Sequence, residues 1–527
     1  MSLGDVVIPL GTSGGRWTRL QRADVLIVCR NEPGSARSAT YSRGHALRQG
    51  KVNMNPLGRM ARISAFIVLG GLPAGCGGGY GSGGSSMMAT ASFISPMAAL
   101  SVNLGQSVKL AWTSTGTISC TATASAAGGG SFSGNQPSSG SATVVPTGTG
   151  SFTYTLNCGG GGGYGGGASA TSATVTVKPS ILSTLATAKA VTIGSTIDPI
   201  EHGGNPYGLA IASESAGLIT AGDLIVCNFN DGATNTQGQG TTLVGLHPAA
   251  GSSPYRIAQS ASLKGCAAVA VFPDSSISGA AFTANAVPLV SPNGTIGNPF
   301  SAGSGGFDRP WSQAYIAASG QRAAALYVSN FAGAIVRISL DVDAETSSTE
   351  IATGFCTSGA PGALFAPAGL TYDPAVDTLY IVDTSSNSVI AFSNVSSIGA
   401  DGVVVNGQCA SVKAPPTATP TFSGPAASSA SVIAHGGGFI APISAALLSD
   451  GDLVVGNGDI NIAAGQMPNL LFEISPVLPG GFVGQPVQLD SGTPGALFGI
   501  TATVDSHGNQ LIYFNDDNAN AVMLLAQ

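Results

Sequence analysis

Pro367-Ala368-Gly369-Leu370, then Leu379-Tyr380-Ile381-Val382-Asp383, then Ser388-Val389-Ile390 fall within 24 consecutive residues. A proline opens an apolar run, a turn follows, and a run of β-branched and aromatic residues ends on an acid. After a second turn comes a third apolar run. Runs of this length, rich in Val, Ile and Tyr and bounded by Asp, Ser and Asn, read as strands. The middle frame is Leu, two β-formers, any residue, then Asn or Asp. It recurs at residues 224–228, 326–330, 379–383, 453–457 and 511–515, ending on Asn228, Asn330, Asp383, Asn457 and Asn515. Ahead of four of these copies, 11 to 18 residues upstream, stands a proline: Pro206, Pro310, Pro367 and Pro442.

A unit of proline, strand, turn, strand ending in Asn or Asp, turn and strand is one blade of a β-propeller, and repeats of this period build closed arrays. The terminal Asn or Asp is expected to bond the backbone where the second strand hands over to the third. The interval from Asn228 to Asn330 is 102 residues, against 53, 74 and 58 for the others, which leaves room for a degenerate copy around residues 267–272. Six blades are therefore expected over residues 180–527, with the apolar run near 181–193 completing the last sheet. The text around Pro367 resembles NHL-type six-bladed propellers, a likeness that spans about 340 residues. Propellers of that kind include enzymes as well as recognition platforms.

Between residues 91 and 179 the pattern changes. Val108, Leu110 and Trp112 alternate with Lys109 and Ala111; Phe152, Tyr154 and Leu156 alternate with Thr153 and Thr155; Val175 and Val177 alternate with threonines. Period-two alternation means half-buried strands, and the ensemble predicts a small β-sandwich. Cys120 and Cys158 lie in two of these runs and are expected to pair. The stretch around Leu110-Ala111-Trp112, Cys120 and Tyr154–Cys158 resembles bacterial immunoglobulin-like modules. It departs from antibody domains, because Trp112 precedes the first cysteine and Tyr154 lies four residues before the second instead of two. Such a resemblance implies a spacer or adhesive unit. The fold class expected for the whole chain is all-β: an immunoglobulin-like sandwich followed by a propeller.

Upstream, Arg59-Met60-Ala61-Arg62 precedes about ten apolar residues, then Pro73-Ala74-Gly75-Cys76. A basic stretch, a short apolar core and small residues form a secretory signal. The run is too short for a bilayer span, which takes about 20 residues. Ending on a cysteine, it resembles the lipobox of bacterial lipoproteins, although Pro73 stands where an aliphatic residue is usual. The resemblance implies lipidation of Cys76 and a membrane partner through that lipid. Residues 54–76 then form the signal, 77–90 a Gly/Ser tether and 1–53 an upstream extension. In an exported chain Cys227, Cys266, Cys356 and Cys409 are further disulfide candidates, for which three pairings are open.

Up to Arg62 there are 10 Lys+Arg against 3 Asp+Glu, a balance of +7; beyond it 9 face 23, a balance of −14. So few cations over an acidic body exclude nucleic acid as a partner. Catalytic residue types are scarce. Asp341, Asp343 and Glu345 lack the glycine and the final acid of an EF-hand, having Thr346 and Ala352 there, and read as an acidic turn. The favoured function is an exported, envelope-located lipoprotein, outer-membrane or periplasmic, without cofactor, whose propeller binds a protein or glycan. The alternative is a propeller lyase or hydrolase using a divalent cation in the central channel, with His202 and His435 as ligands.

Overall fold

The computed structural model describes residues 87–526 except 161–163, 304–305, 321, 342–343, 359–364, 408–417, 459–468 and 490–494. It also describes four two-residue strands, Val6–Val7 paired with Arg19–Leu20 and Arg30–Asn31 paired with Ser35–Ala36. These four belong to a compact unit of residues 1–83; a second unit holds residues 84–527. The signal segment with Cys76, the first part of the tether and Cys409 lie outside the described residues. Among the described residues no helix is long and apolar enough to cross a membrane. The chain is all-β.

Residues 87–178 fold into short sheets over one core. Thr117–Ala124 pairs with Gly134–Gln136 on one side and Tyr154–Gly160 on the other, and Ala168–Thr171 completes that sheet. A second sheet has Val108–Thr115 between Gly140–Val144 and Thr90–Ser95. In a third, Val175–Lys178 lies between Gly150–Phe152 and Leu100–Asn103, the latter parallel to it. The alternation works as expected: Val108, Leu110 and Trp112 are buried while Lys109 faces water. Their partners in the core are Phe132, Phe152, Tyr154, Leu156, Val175 and Val177. Cys120 and Cys158 form a disulfide, with Cα atoms 3.9 Å apart. They are directly opposed neighbours in one sheet, so the bond does not join two sheets as in an antibody domain.

The apolar run expected as strand over 181–193 divides. Ile181–Leu185 is a helix, entered at Ser180, whose hydroxyl accepts from the Ser183 N–H, and it buries Leu182 and Leu185. Only Val191–Ser195 is strand.

Among the described residues, six sheets follow, antiparallel except where Ala344–Thr353 pairs in parallel with Val403–Asn406 in the third. The first runs Gly204–Ile211, Leu224–Asn230, Thr242–Leu246, Tyr255–Gln259; the second Cys266–Val271, Ile277–Ala281, Val287–Val290, Ile296–Phe300. That second sheet occupies the long interval, its opening strand in the apolar run at 267–272. The third begins Pro310–Ile316, Ala324–Asn330, Ala334–Asp341, Ala344–Thr353 and is widened by Val403–Asn406 and Thr421–Ser423. Those two strands come from the long connection within the fourth sheet, Pro367–Asp373, Thr378–Asp383, Ser388–Ser393, Ala430–His435. The fifth is Pro442–Leu447, Leu453–Asn457, Leu470–Ile474, Phe482–Gln488. The last takes Ala496–Val504, Gln510–Asp516 and Ala521–Leu525 from the C-terminus and Val191–Ser195 from the start of the ring as its outermost strand.

The opening strand of each sheet contacts the opening strands of its two neighbours, and the strand 496–504 returns to the strand 204–211. The sheets therefore close on themselves, and the architecture is a β-propeller. In five of these sheets the second strand is buried along its whole length, as Leu224–Asn230 and Ala324–Asn330 illustrate, because each sheet is covered on both faces; in the last, Leu511 and Asp516 are half-buried. That is why the repeat reads as continuous apolar runs and not as alternation. Cys227 in the first sheet and Cys266 in the second are bonded across the sheet gap, Cα atoms 5.7 Å apart. Cys356 is also disulfide-bonded.

Candidate functional site

The ring axis is built from the opening strands. Each contributes three consecutive residues to a central channel, and the middle one is always small: Gly208, Ala268, Ser312, Gly369, Ser444 and Gly499. A bulge precedes or includes this position in every opening strand, between Pro206 and Gly208, Cys266 and Ala268, Pro310 and Ser312, Pro367 and Gly369, Pro442 and Ser444, and Ala496 and Ile500. Proline belongs there because it cannot donate to the ladder and a bulge does not ask it to. Each proline of the repeat thus sets the register that brings a small residue to the axis. The space along the axis is about 70 Å³, room for a few water molecules.

At one end the channel is plugged by aromatic rings. Tyr207 is stacked between Phe229 at 4.2 Å and Phe498 at 4.0 Å, with nearly parallel planes. Trp311 meets Tyr207 and Phe282 edge-on at 5.9 and 5.5 Å, and Phe331 packs on Phe282 at 5.9 Å. The Arg309 guanidinium lies over the Phe331 ring at 4.0 Å, a cation on the negative face of the ring. The opposite end widens into an open mouth of about 420 Å³ lined by Ile211, Val271, Tyr315, Tyr372, Leu447 and Thr503 among others. Tyr372 donates to Asp377 at 2.9 Å, and Arg322 pairs with the same carboxylate at 3.2 Å while lying over the Tyr372 ring. Burial and the accepted proton position beside Asp377 raise the Tyr372 hydroxyl above the ordinary phenol range, so it is a neutral donor. Neither the channel nor this mouth presents a carboxylate, imidazole, amine, guanidinium or thiol among its lining residues.

Of the two histidines expected in the channel, His202 stands in a loop and His435 in a strand, and the structure brings neither to the axis. His435 ends the outermost strand of the fourth sheet, with Nδ1 3.1 Å from Ser388 Oγ. His202 lies in a separate open groove of about 900 Å³, with Glu201, Asp231 and Lys264. Asp198 shapes that groove. It is fully buried, takes the Arg256 guanidinium, and accepts the N–H groups of Ile200 and Glu201. Among the described residues neither histidine has two further His, Cys, Asp or Glu side chains within metal-ligand reach.

The repeat positions divide by what they hold. Asp383 accepts from Ser385 N–H at 3.1 Å and from the Ser385 and Ser386 hydroxyls, the turn role expected. Asn515 instead donates to the carbonyls of Tyr207 and Gly208, both at 3.2 Å, in the next sheet around the ring. Asn228 donates to the Thr196 carbonyl at 2.9 Å, and Asn457 bonds Gly438 and Ile440 in the loop that leads into its own sheet. Asn228, Asn330 and Asn515 each keep a buried amide oxygen without a partner. The acidic turn at Asp341 is a hairpin end, Asp341 lying opposite Ala344. The axial residues went unremarked at the sequence level, although the signal was there: Pro206-Tyr-Gly208, Pro310-Trp-Ser312, Pro367-Ala-Gly369 and Pro442-Ile-Ser444 share proline, a variable residue, then a small one.

No family model matches the chain, and no curated protein matches it. Among solved structures it is similar to a streptogramin B lyase, at 13% identity and TM-score 0.34, over 62% of this chain and 94% of that one. It is similar to a catalytically inactive virginiamycin B lyase from Staphylococcus aureus with quinupristin, at 11% identity and TM-score 0.33, over 64% and 98%. The selenomethionine-substituted virginiamycin B lyase of the same organism follows at 13% identity and TM-score 0.33, over 61% and 95%.

Proposed function

We propose that the chain is an exported lipoprotein, anchored through Cys76, in which an immunoglobulin-like sandwich carries a six-bladed propeller that binds a glycan or protein at its open mouth. One observation carries the binding reading: the axis holds only small and apolar residues with Tyr, Thr, Ser and Gln, so it offers surface for recognition and no lining carboxylate, imidazole or amine to activate its hydroxyls. Half-exposed Tyr315 and Tyr372 beside Thr371, Thr501 and Thr503 combine flat apolar faces with hydroxyls, the mixture that suits sugar rings and extended peptides. Disulfides at Cys120–Cys158 and Cys227–Cys266 and a bonded Cys356 support an oxidising compartment.

The test is an array of envelope glycans and extracellular proteins probed with wild type and Thr371→Arg, which places a long cation in the mouth. Wild type is expected to retain a ligand that Thr371→Arg loses at an unchanged melting temperature. Equal retention by both, or ligand recovered chemically altered, sinks the reading. The anchor is checked separately by the mass of the mature protein, expected to begin at a lipidated Cys76; a mass beginning at Gly77 or retaining residues 1–53 removes it.

A further inference from the structure

The fifth ring sheet carries a polar centre where it meets the sandwich. Asp450 and Asp452 lie in the hairpin between Pro442–Leu447 and Leu453–Asn457, and Glu473 stands opposite Val454 in the next strand. Each of the three brings an oxygen within 4.8 Å of the other two. Asp452 and Glu473 are 1% exposed. The turn after the sandwich strand Leu100–Asn103 reaches over them. Asn103 Nδ2 donates to Asp450 at 2.8 Å, Gln106 Nε2 donates to Asp452 Oδ1 at 2.7 Å, and Ser475 Oγ donates to the Gly105 carbonyl at 2.8 Å. The helix Ile181–Leu185 adds the N–H groups of Leu182 and Ile181, which donate to Glu473 at 2.6 and 3.2 Å.

Three carboxylates here have no cation of the protein. Among the described residues no Lys, Arg or His forms an ion pair with any of them. Burying like charges without a counter-ion is costly, so the charge must be met by protons or by an ion. Asp452 Oδ2 is buried with no hydrogen-bond partner, so one oxygen of the cluster stands unsatisfied. A cation satisfies that oxygen and the charge together.

We propose that this junction binds a hard divalent cation of the Ca²⁺ class, which fastens the sandwich to the propeller. Oxygens around one Ca²⁺ lie about 2.3–2.6 Å from it, hence within about 5 Å of one another, as these are. The donors are the carboxylates of Asp450, Asp452 and Glu473 and the amide oxygens of Asn103 and Gln106. Turning each amide over exchanges its N–H₂ for its C=O at almost unchanged shape. Five oxygen side chains, with carboxylates free to bind through both oxygens, reach the six to eight ligands Ca²⁺ takes, and nothing in the set suits a softer metal.

Calcium titration of the chelator-treated full chain by calorimetry, with melting curves in EDTA and in Ca²⁺, tests this. Wild type is expected to bind about one Ca²⁺ per chain and to melt higher as Ca²⁺ rises. Asp452→Asn is expected to lose both responses. Asn103→Ala, which leaves all three carboxylates and changes only a sandwich side chain, is expected to bind about tenfold more weakly. No binding heat up to millimolar Ca²⁺ with identical melting in EDTA overturns the proposal. So does Ca²⁺ binding that both variants retain at wild-type affinity.

Discussion

Gly208 stands where its opening strand packs against that of the second sheet. A Cβ there would lie 2.8 Å from the Ala268 Cα and carbonyl carbon and 2.8 Å from Cys227 Sγ, which is main chain and a bonded sulfur, so nothing can yield. Gly208→Val is expected to cost about 3 kcal/mol in urea unfolding, the scale of overpacking a rigid core. Gly399→Ala, where an added Cβ meets nothing within 4 Å, is expected to stay within about 0.5 kcal/mol. Asp198 gives a pH-dependent counterpart. Burial raises its carboxyl, but the Arg256 guanidinium and the Glu201 and Ile200 N–H groups outweigh burial and hold it below the usual carboxylate range. A depressed folded value stabilises the fold above the unfolded value of about 3.9, and that stabilisation disappears as pH falls through the folded value. Asp198→Asn is therefore expected to lose about 3 kcal/mol at pH 7 by leaving Arg256 without its partner. The difference from wild type should narrow steadily below about pH 4. A constant difference from pH 7 to pH 3 would show that shape, and not charge, makes the contribution.

At the level of strands, the repeated Asn or Asp does more than the sequence suggested. Its spacing identified the second strand of five sheets, because a short polar residue closing an apolar run is a local signal. What the side chain touches is not local. Asp383 turns the chain within its own sheet, whereas Asn515 ties the last sheet to the first by two bonds to main-chain carbonyls. Asn515→Ala is expected to cost about 2 kcal/mol, since it unpairs buried carbonyls at the point of ring closure. Asn330→Ala, in the third sheet and away from the ring closure, should cost less. Equal losses in denaturant melts would mean that both act only as turn residues. The same limit explains the helix Ile181–Leu185, placed in a run expected as strand. Apolar residues at Leu182 and Leu185 fit a helix turn as well as a strand, and the Ser180 cap decided between them.

For the whole molecule, closure was legible in outline: Val191–Ser195 pairs with Ala521–Leu525, joining the two ends of the ring through one sheet. The axis was not, because small residues from separate strands converge only once the sheets are arranged around it, and a chain with 76 glycines hides any particular one. Nor was the three-carboxylate junction, which takes two donors, Asn103 and Gln106, from more than 340 residues away in sequence. Charge offers the remaining global test. The full chain, net −7, has a pI of about 5.1, yet its positive share is concentrated before Arg62 and residues 63–76 carry no charge. A chain processed at Cys76 keeps 9 Lys+Arg, 23 Asp+Glu and the four histidines 202, 247, 435 and 507. It reaches neutrality only when little more than half its carboxylates are ionised, which places the isoelectric point at about 4, close to the carboxylate pKa itself. Isoelectric focusing of the native protein is expected to give that value. Focusing at 5 or above would mean that the basic leader is retained and that the chain is not cut where its charge changes sign.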